Sequence, residues 1–305
     1  MPTVKPFRAL RPKSSEAAQI AAPPYDVLSS DEARAMAAGQ PLSFLHVSKP
    51  EIDLPAGVNV HSPEVYAKGG DNFKKLMAEG HLARDKQESF YLYRQSAGGH
   101  SQTGLVAVVS CEDYRSGRIK KHEFTQPEKE DDRVRHLEAL GAQTGPAFLA
   151  YRSDPKLDGI LAEQAKLEPW ADFTAPDGVR HTCWSVESQH AARAIAEGFG
   201  ALPTFYIADG HHRSAAAFRL SEKMSSSVPN SLGDEPFRFF LAVIFPHHQL
   251  RILAYNRLVK DLRGLSPKAF LEKLRDLGEL QPAASPIPDA PQSMAVFVAG
   301  KWYRF

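Results

Sequence analysis

Cysteine is scarce in this chain: Cys111 and Cys183 are the only two in 305 residues, and they lie far apart. That excludes a disulfide-stapled scaffold and a thiolate metal cluster, and it fits a reducing compartment. Long apolar runs are missing as well. Nothing approaches the roughly 20 residues a membrane span needs, and the opening MPTVKPFRALRP has no signal-like apolar core, so a cytoplasmic protein without membrane contact is expected. An excess of either charge is also absent. Lys and Arg number 37 against 36 Asp and Glu, for a formal net charge of +1, which argues against a nucleic-acid clamp. There is no internal repeat or low-complexity tract. What remains is ample apolar content, 43%, enough for one large or two ordinary domains.

The most informative stretch is Thr204 to Leu220, TFYIADGHHRSAAAFRL. Phe205-Tyr206-Ile207-Ala208 predicts a buried strand. It breaks into Asp209-Gly210-His211-His212-Arg213, and Ser214 then opens an alanine-rich helical run with Ala217, Leu220 and Met224 at helical spacing. A glycine turn between a strand and a helix start is suited to an anion. The first helical amides lack intrahelical partners, the helix dipole is positive there, and Arg213 adds a fork that matches phosphate.

Other stretches carry polar chemistry at element ends. Pro23-Pro24 stiffens the chain ahead of Tyr25 and Asp26, which it either presents to a cleft or turns past a corner. Strands are expected at Leu42 to Val47, Phe90 to Arg94 and Gly104 to Tyr114, with Ile119 to Phe124 completing an antiparallel meander. His122 and Glu123 then lie at a strand end. A helix is expected from Thr125, whose spacing to Glu128 is that of a capping box, to about Gly141. Further on, Phe237 to Phe245 and Leu250 to Tyr255 are expected strands around a turn holding His247 and His248, with Asn256-Arg257 just beyond. The pattern predicts an α+β protein of mixed and antiparallel sheets flanked by helices, divided into regions 1–145 and 146–305.

Taken together, Pro23-Pro24-Tyr25-Asp26-Val27, His122-Glu123-Phe124-Thr125 with Lys129 and Asp132-Arg133, Asp209-Gly210-His211-His212-Arg213 and Asn256-Arg257-Leu258-Val259 resemble the bacterial and archaeal domain-of-unknown-function family 1015. The resemblance covers essentially the whole chain. It implies a C-terminus shortened relative to other members, and Ala254-Tyr255-Asn256 stands where Pro-Thr-His is expected. The Asp-Gly-His-His-Arg turn is also similar to that of the ParB/sulfiredoxin superfamily, which includes CTP-binding partitioning proteins and free-serine kinases. This implies a ParB/sulfiredoxin-like core in the second region, a phosphoryl-handling site, and serine or phosphoserine as the small partner.

The expected function is therefore a phosphotransferase that binds ATP or ADP with Mg²⁺ and acts on a small hydroxyl metabolite, or the reverse chemistry on phosphoserine. Gly210, His212, Arg213 and Ser214 would bind phosphate, with His122 and Arg133 in the same set. Asp209 or Glu123 would accept the hydroxyl proton, and His211 would act as acid or phosphate ligand. Tyr25, Asp26, Asn256 and Arg257 are further cleft candidates. The alternative is a non-enzymatic nucleotide-binding switch, against which stand the absence of a helix-turn-helix segment and of dimerising heptads. A sulfiredoxin-like reductase would need a cysteine in the turn that His211 and His212 occupy. Oligomeric state is not legible in one chain.

Overall fold

The run Phe239-Phe-Leu-Ala-Val-Ile-Phe-Pro246 is apolar from end to end because both of its faces are covered. It is the middle strand of a nine-stranded mixed sheet in the computed structural model, which describes residues 1–228, 233–254, 256–288 and 290–305. The sheet strands are β1 (Val4–Lys5), β2 (Tyr91–Ala97), β3 (His100–Ser110), β4 (Ile119–Lys120), β5 (Ala147–Tyr151), β6 (Ala171–Thr174), β7 (Arg180–Ser185), β8 (Phe205–Asp209) and β9 (Phe239–Pro246). Their order is β4-β8-β5-β9-β3-β2-β7-β6, with β1 paired to β3. Two contacts are parallel, β8 with β4 and β9 with β5, and the rest are antiparallel.

Helices flank this sheet. The three that matter for the site are α1 (Pro63–Ala78), α2 (Pro127–Leu140) and α3 (His211–Ser227). Helix α1 approaches α2 closely, since a methyl at Gly70 would sit 2.8 Å from the Ala139 carbonyl oxygen. Helix α2 is tied to α3 by Arg219, which bridges Glu130 at 3.1 Å and Asp131 at 2.6 Å, and by Lys223 to Glu138. On its inner face α3 buries Ala215 and Ala217 in the main core with Leu149, Ile207, Phe205 and Ile244. The α+β class with a mixed sheet flanked by helices is as expected from the sequence.

Several local expectations give way. Leu42–Val47 is not a strand: Leu45–Ser48 forms a helical turn, and Leu45 and Val47 enter two separate small apolar clusters beside the main one. Six mostly apolar residues satisfy either period, and here packing decides. The run after β3 turns helical at Cys111–Arg115, with the Ser110 hydroxyl accepting from the Glu112 amide. The meander therefore stops at the β2–β3 hairpin. Ile119–Lys120 instead joins the far edge, parallel to β8, and His122 to Gln126 are loop. The capping box at Thr125 does not form: Gln126 is the N-cap and the Thr125 hydroxyl donates to Glu130 instead.

Residues on both sides of the expected 145/146 division share the one sheet, so the first compact unit runs from Met1 to Leu250 and the second from Arg251 to Phe305. Within the second unit, the helix Pro267–Arg275 accompanies a three-stranded antiparallel sheet of Gln281–Ala283, Lys301–Arg304 and Ala295–Val298. Residues 250–254 are not strand, and Tyr255, the last of that expected strand, lies outside the described residues. His247 and His248 sit in a short turn, as expected.

Candidate functional site

Strand β8 ends at Asp209, and Gly210 then takes φ +89° and caps α3 with no side-chain bond to the helix amides. Only glycine enters that region without strain. The helix therefore begins at His211, three residues earlier than the sequence pattern predicts. His211, His212 and Arg213 occupy the first turn, where unpaired amides and the dipole favour an anion. Successive residues on a helix point about 100° apart, and these three reach different partners.

His211 is buried, and its ring lies edge-on to that of His122 with centroids 4.4 Å apart. Its Nδ1 is 3.6 Å from Glu123 Oε2, and its Nε2 accepts from the His122 amide at 3.5 Å. These partners assign the Nδ1–H tautomer. Burial, reinforced by His122, holds its pKa below the ordinary histidine value, so the ring is neutral near pH 7. His212 accepts the Gln126 amide at 3.2 Å through Nε2. The two imidazoles thus pin both ends of the 122–126 loop.

Arg213 folds back over the turn. Its guanidinium donates to the Pro146 carbonyl and, at 2.6 Å, to Asp209 Oδ2. Arg133, on α2, donates to Asp132 at 2.8 Å and stacks 3.7 Å over the Tyr25 ring. Tyr25 feels the positive charge of both Arg133 and Arg213, although burial is the larger influence and raises its pKa. The Pro-Pro segment and α2 therefore bring Tyr25 and Arg133 together, and Arg213 acts on the Tyr25 hydroxyl electrostatically.

Ser214 is fully buried and its hydroxyl donates to the Gly210 carbonyl, so it turns away from any ligand. Asp209 is engaged with Arg213. Asp26 is exposed beside Tyr25, and Asn256 and Arg257 are exposed in the second unit. Among the described residues, no group of three or more His, Cys, Asp or Glu is arranged to hold a metal ion.

The sequence reading missed the support behind Arg133. Asp132 also accepts from Tyr66 Oη at 2.7 Å and lies 3.1 Å from His61 Nδ1, and these contacts with Arg133 hold its carboxyl below the usual range despite burial. The Asp132-Arg133 pair was a visible signal, whereas its partners on and before α1 have no sequence spacing that points to them.

Alanine at Gly210 tests the turn. An added methyl would lie 3.2 Å from Ala147 Cα and 3.3 Å from Arg213 Cζ, in a conformation alanine resists. The expected cost is about 1–3 kcal/mol of stability. Gly145 lacks positive φ, and its added methyl meets only the Arg213 side chain, at 3.2 Å. Urea titration of Gly210→Ala and Gly145→Ala should show the clearly larger loss in the former.

No curated protein and no solved structure matches the chain. The model of the family described as "Protein of unknown function (DUF1015)" matches residues 4–305. With nearly every residue matched, the chain belongs to the DUF1015 family.

Proposed function

We propose that the chain binds a nucleoside di- or triphosphate with its phosphates on the Gly210 turn. It then transfers a phosphoryl group to or from the hydroxyl of a small metabolite, serine being the first candidate. The observation that carries this reading is the Arg213 guanidinium held by Asp209 across an uncapped helix N-terminus, with Arg133 stacked on the Tyr25 ring of the neighbouring segment. Two guanidinium groups and free amides around a glycine turn suit a group that carries several negative charges and spreads them further in its transition state. The likeness of the turn to the ParB/sulfiredoxin type points the same way.

His211 takes the role of general base. It is neutral, the Glu123 carboxylate lies 3.6 Å from its Nδ1, and the 3.5 Å contact to the His122 amide is long enough to exchange for a substrate hydroxyl. The hydroxyl proton passes to Nε2 as the oxygen forms its bond to phosphorus and the bond to the leaving phosphate breaks. Asp209, bound to Arg213, positions that guanidinium instead of accepting the proton. Glu123 and Asp209, both exposed carboxylates, would be the residues to hold a magnesium ion brought in with the nucleotide. When bound, such an ion neutralises charge on the phosphates.

Thermal shift against ATP, ADP, CTP and GTP, each with Mg²⁺, and against phosphoserine checks the reading. A native-state ligand at 100 times its Kd adds about 2.7 kcal/mol. An ATP or ADP shift, followed by phosphoserine formed from serine in a mass-spectrometric assay, is the expected result. Phosphate released from phosphoserine supports the reverse direction. A chain that no nucleotide or phosphoserine stabilises overturns the reading.

A further inference from the structure

Phe124 is 97% exposed. Leaving a phenylalanine ring in water forfeits the burial that draws Phe205, Phe240 and Phe245 inward. The other large apolar side chains exposed among the described residues of 1–250 are aliphatic. The backbone on either side of this ring is held in place. Glu123 faces His211 at 3.6 Å, the Thr125 hydroxyl donates to Glu130, and the Gln126 amide donates to His212 at 3.2 Å. Glu130 is in turn bound to Arg219 of α3 at 3.1 Å. An unpartnered ring is thus set on a fixed loop, one residue from the partner of His211 and two from the partner of His212.

We propose that Phe124 is the stacking platform for the base of the nucleotide, an inference that rests on the phosphate-binding reading of the Gly210 turn. A ring this close to an anion site fits a ligand with a charged end and a flat apolar end. Phosphate alone has no face to stack, and neither does a small hydroxyl acid. Every nucleobase has one, and base–aromatic stacking is tolerant of base identity. The residues around the ring, Lys121 to Glu123 and Gln126 to Lys129, are exposed and mostly polar. A protein-docking hot spot would instead sit within a packed apolar patch. Because the loop is already tethered, stacking orders little besides the ligand.

Titration calorimetry with ATP and with inorganic tripolyphosphate, each with Mg²⁺, separates the two ends of the ligand. Phe124→Ala should raise the Kd for ATP about tenfold or more and leave that for tripolyphosphate within about twofold. Phe124→Trp should retain ATP affinity, with emission that ATP quenches and tripolyphosphate does not. Unchanged melting of the free variants is expected, since the ring touches nothing. Equal losses for both ligands in Phe124→Ala, or no loss for either, overturn the platform. Tripolyphosphate binding as tightly as ATP to the unaltered chain also overturns the platform, while the phosphate turn stands. If the unaltered chain binds neither ligand, the phosphate turn itself fails and the platform with it.

Discussion

Alanine in place of Arg213 is expected to lower turnover, or phosphate-ligand affinity, by about 10²–10³ while the chain still folds. A loss of that size is what removal of one preorganised charge-stabilising donor produces. The structural cost is of similar size but is spread over two contacts. The pair with Asp209 involves a carboxylate 65% exposed, which limits its worth to about 1 kcal/mol or less, and the bond to the Pro146 carbonyl adds roughly 1.5–3 kcal/mol. For a chain of this size each kcal/mol moves the melting temperature by about 2–4 °C. Arg213→Lys sharpens the test, because lysine keeps the charge but cannot span Pro146 and Asp209 with one planar fork. Both variants should melt earlier by no more than about 15 °C, stay folded at 25 °C, and lose the ATP-dependent shift. A variant that keeps its ligand shift would remove Arg213 from the site, and one that unfolds would assign it to the fold instead.

The second large effect concerns pH. His136, on the buried side of α2, is 4% exposed and its Nε2–H donates to the Val47 carbonyl at 3.0 Å. Burial, reinforced by Arg133, pushes its pKa down from 6.5 to about 4, against the opposing pull of the Val47 hydrogen bond, Asp132 and Glu51. A histidine with a depressed folded-state pKa favours the native state while it is neutral. Its contribution is complete above the unfolded value of 6.5 and is lost as pH falls toward 4. The loss should reach about 2 kcal/mol at pH 5 and about 3 kcal/mol near pH 4. His211 and His181 shift in the same direction and add to the slope. The paired carboxylates Asp85 and Asp132 have lowered values and act at still lower pH. His136→Gln keeps an N–H for Val47 and does not titrate. Urea midpoints at pH 7.5 and pH 5 should therefore differ less in His136→Gln than in the unaltered chain. Equal differences would remove His136 from the acid response.

The strand–glycine–helix turn at Gly210 was legible because it combines three local signals that agree: an apolar run, a glycine, and an alanine-rich helical period. Even there the helix start was misplaced, since the pattern does not reveal that left-handed Gly210 lets His211 begin the first turn. That shift changes the chemistry, because it turns Ser214 inward and makes the two histidines the anchors of the 122–126 loop. The antiparallel pairing of β2 with β3 was legible in the two expected strands Phe90 to Arg94 and Gly104 to Tyr114. The place of Ile119–Lys120 was not. Its partner is β8, far along the chain, and two residues carry no periodicity. The helical turn at Leu45 failed for a related reason, since short apolar segments take whichever form their neighbours complete. Tyr66 and His61 behind Asp132 are a purely tertiary arrangement, invisible to any local reading.

The mixed order of the sheet also bears on how the protein comes into being. Strand β9 pairs with β5 and β3, as in Ala242 with Ala147 and Val243 with Val106, and β8 reaches back to Ile119. These contacts close long loops before they return any stabilisation, which slows folding. The Gly210 turn hangs on the strands that assemble through such closures. On the proposed function, ligand affinity should consequently emerge late in refolding, together with the slow, global phase, and only after β9 has been synthesised and docked.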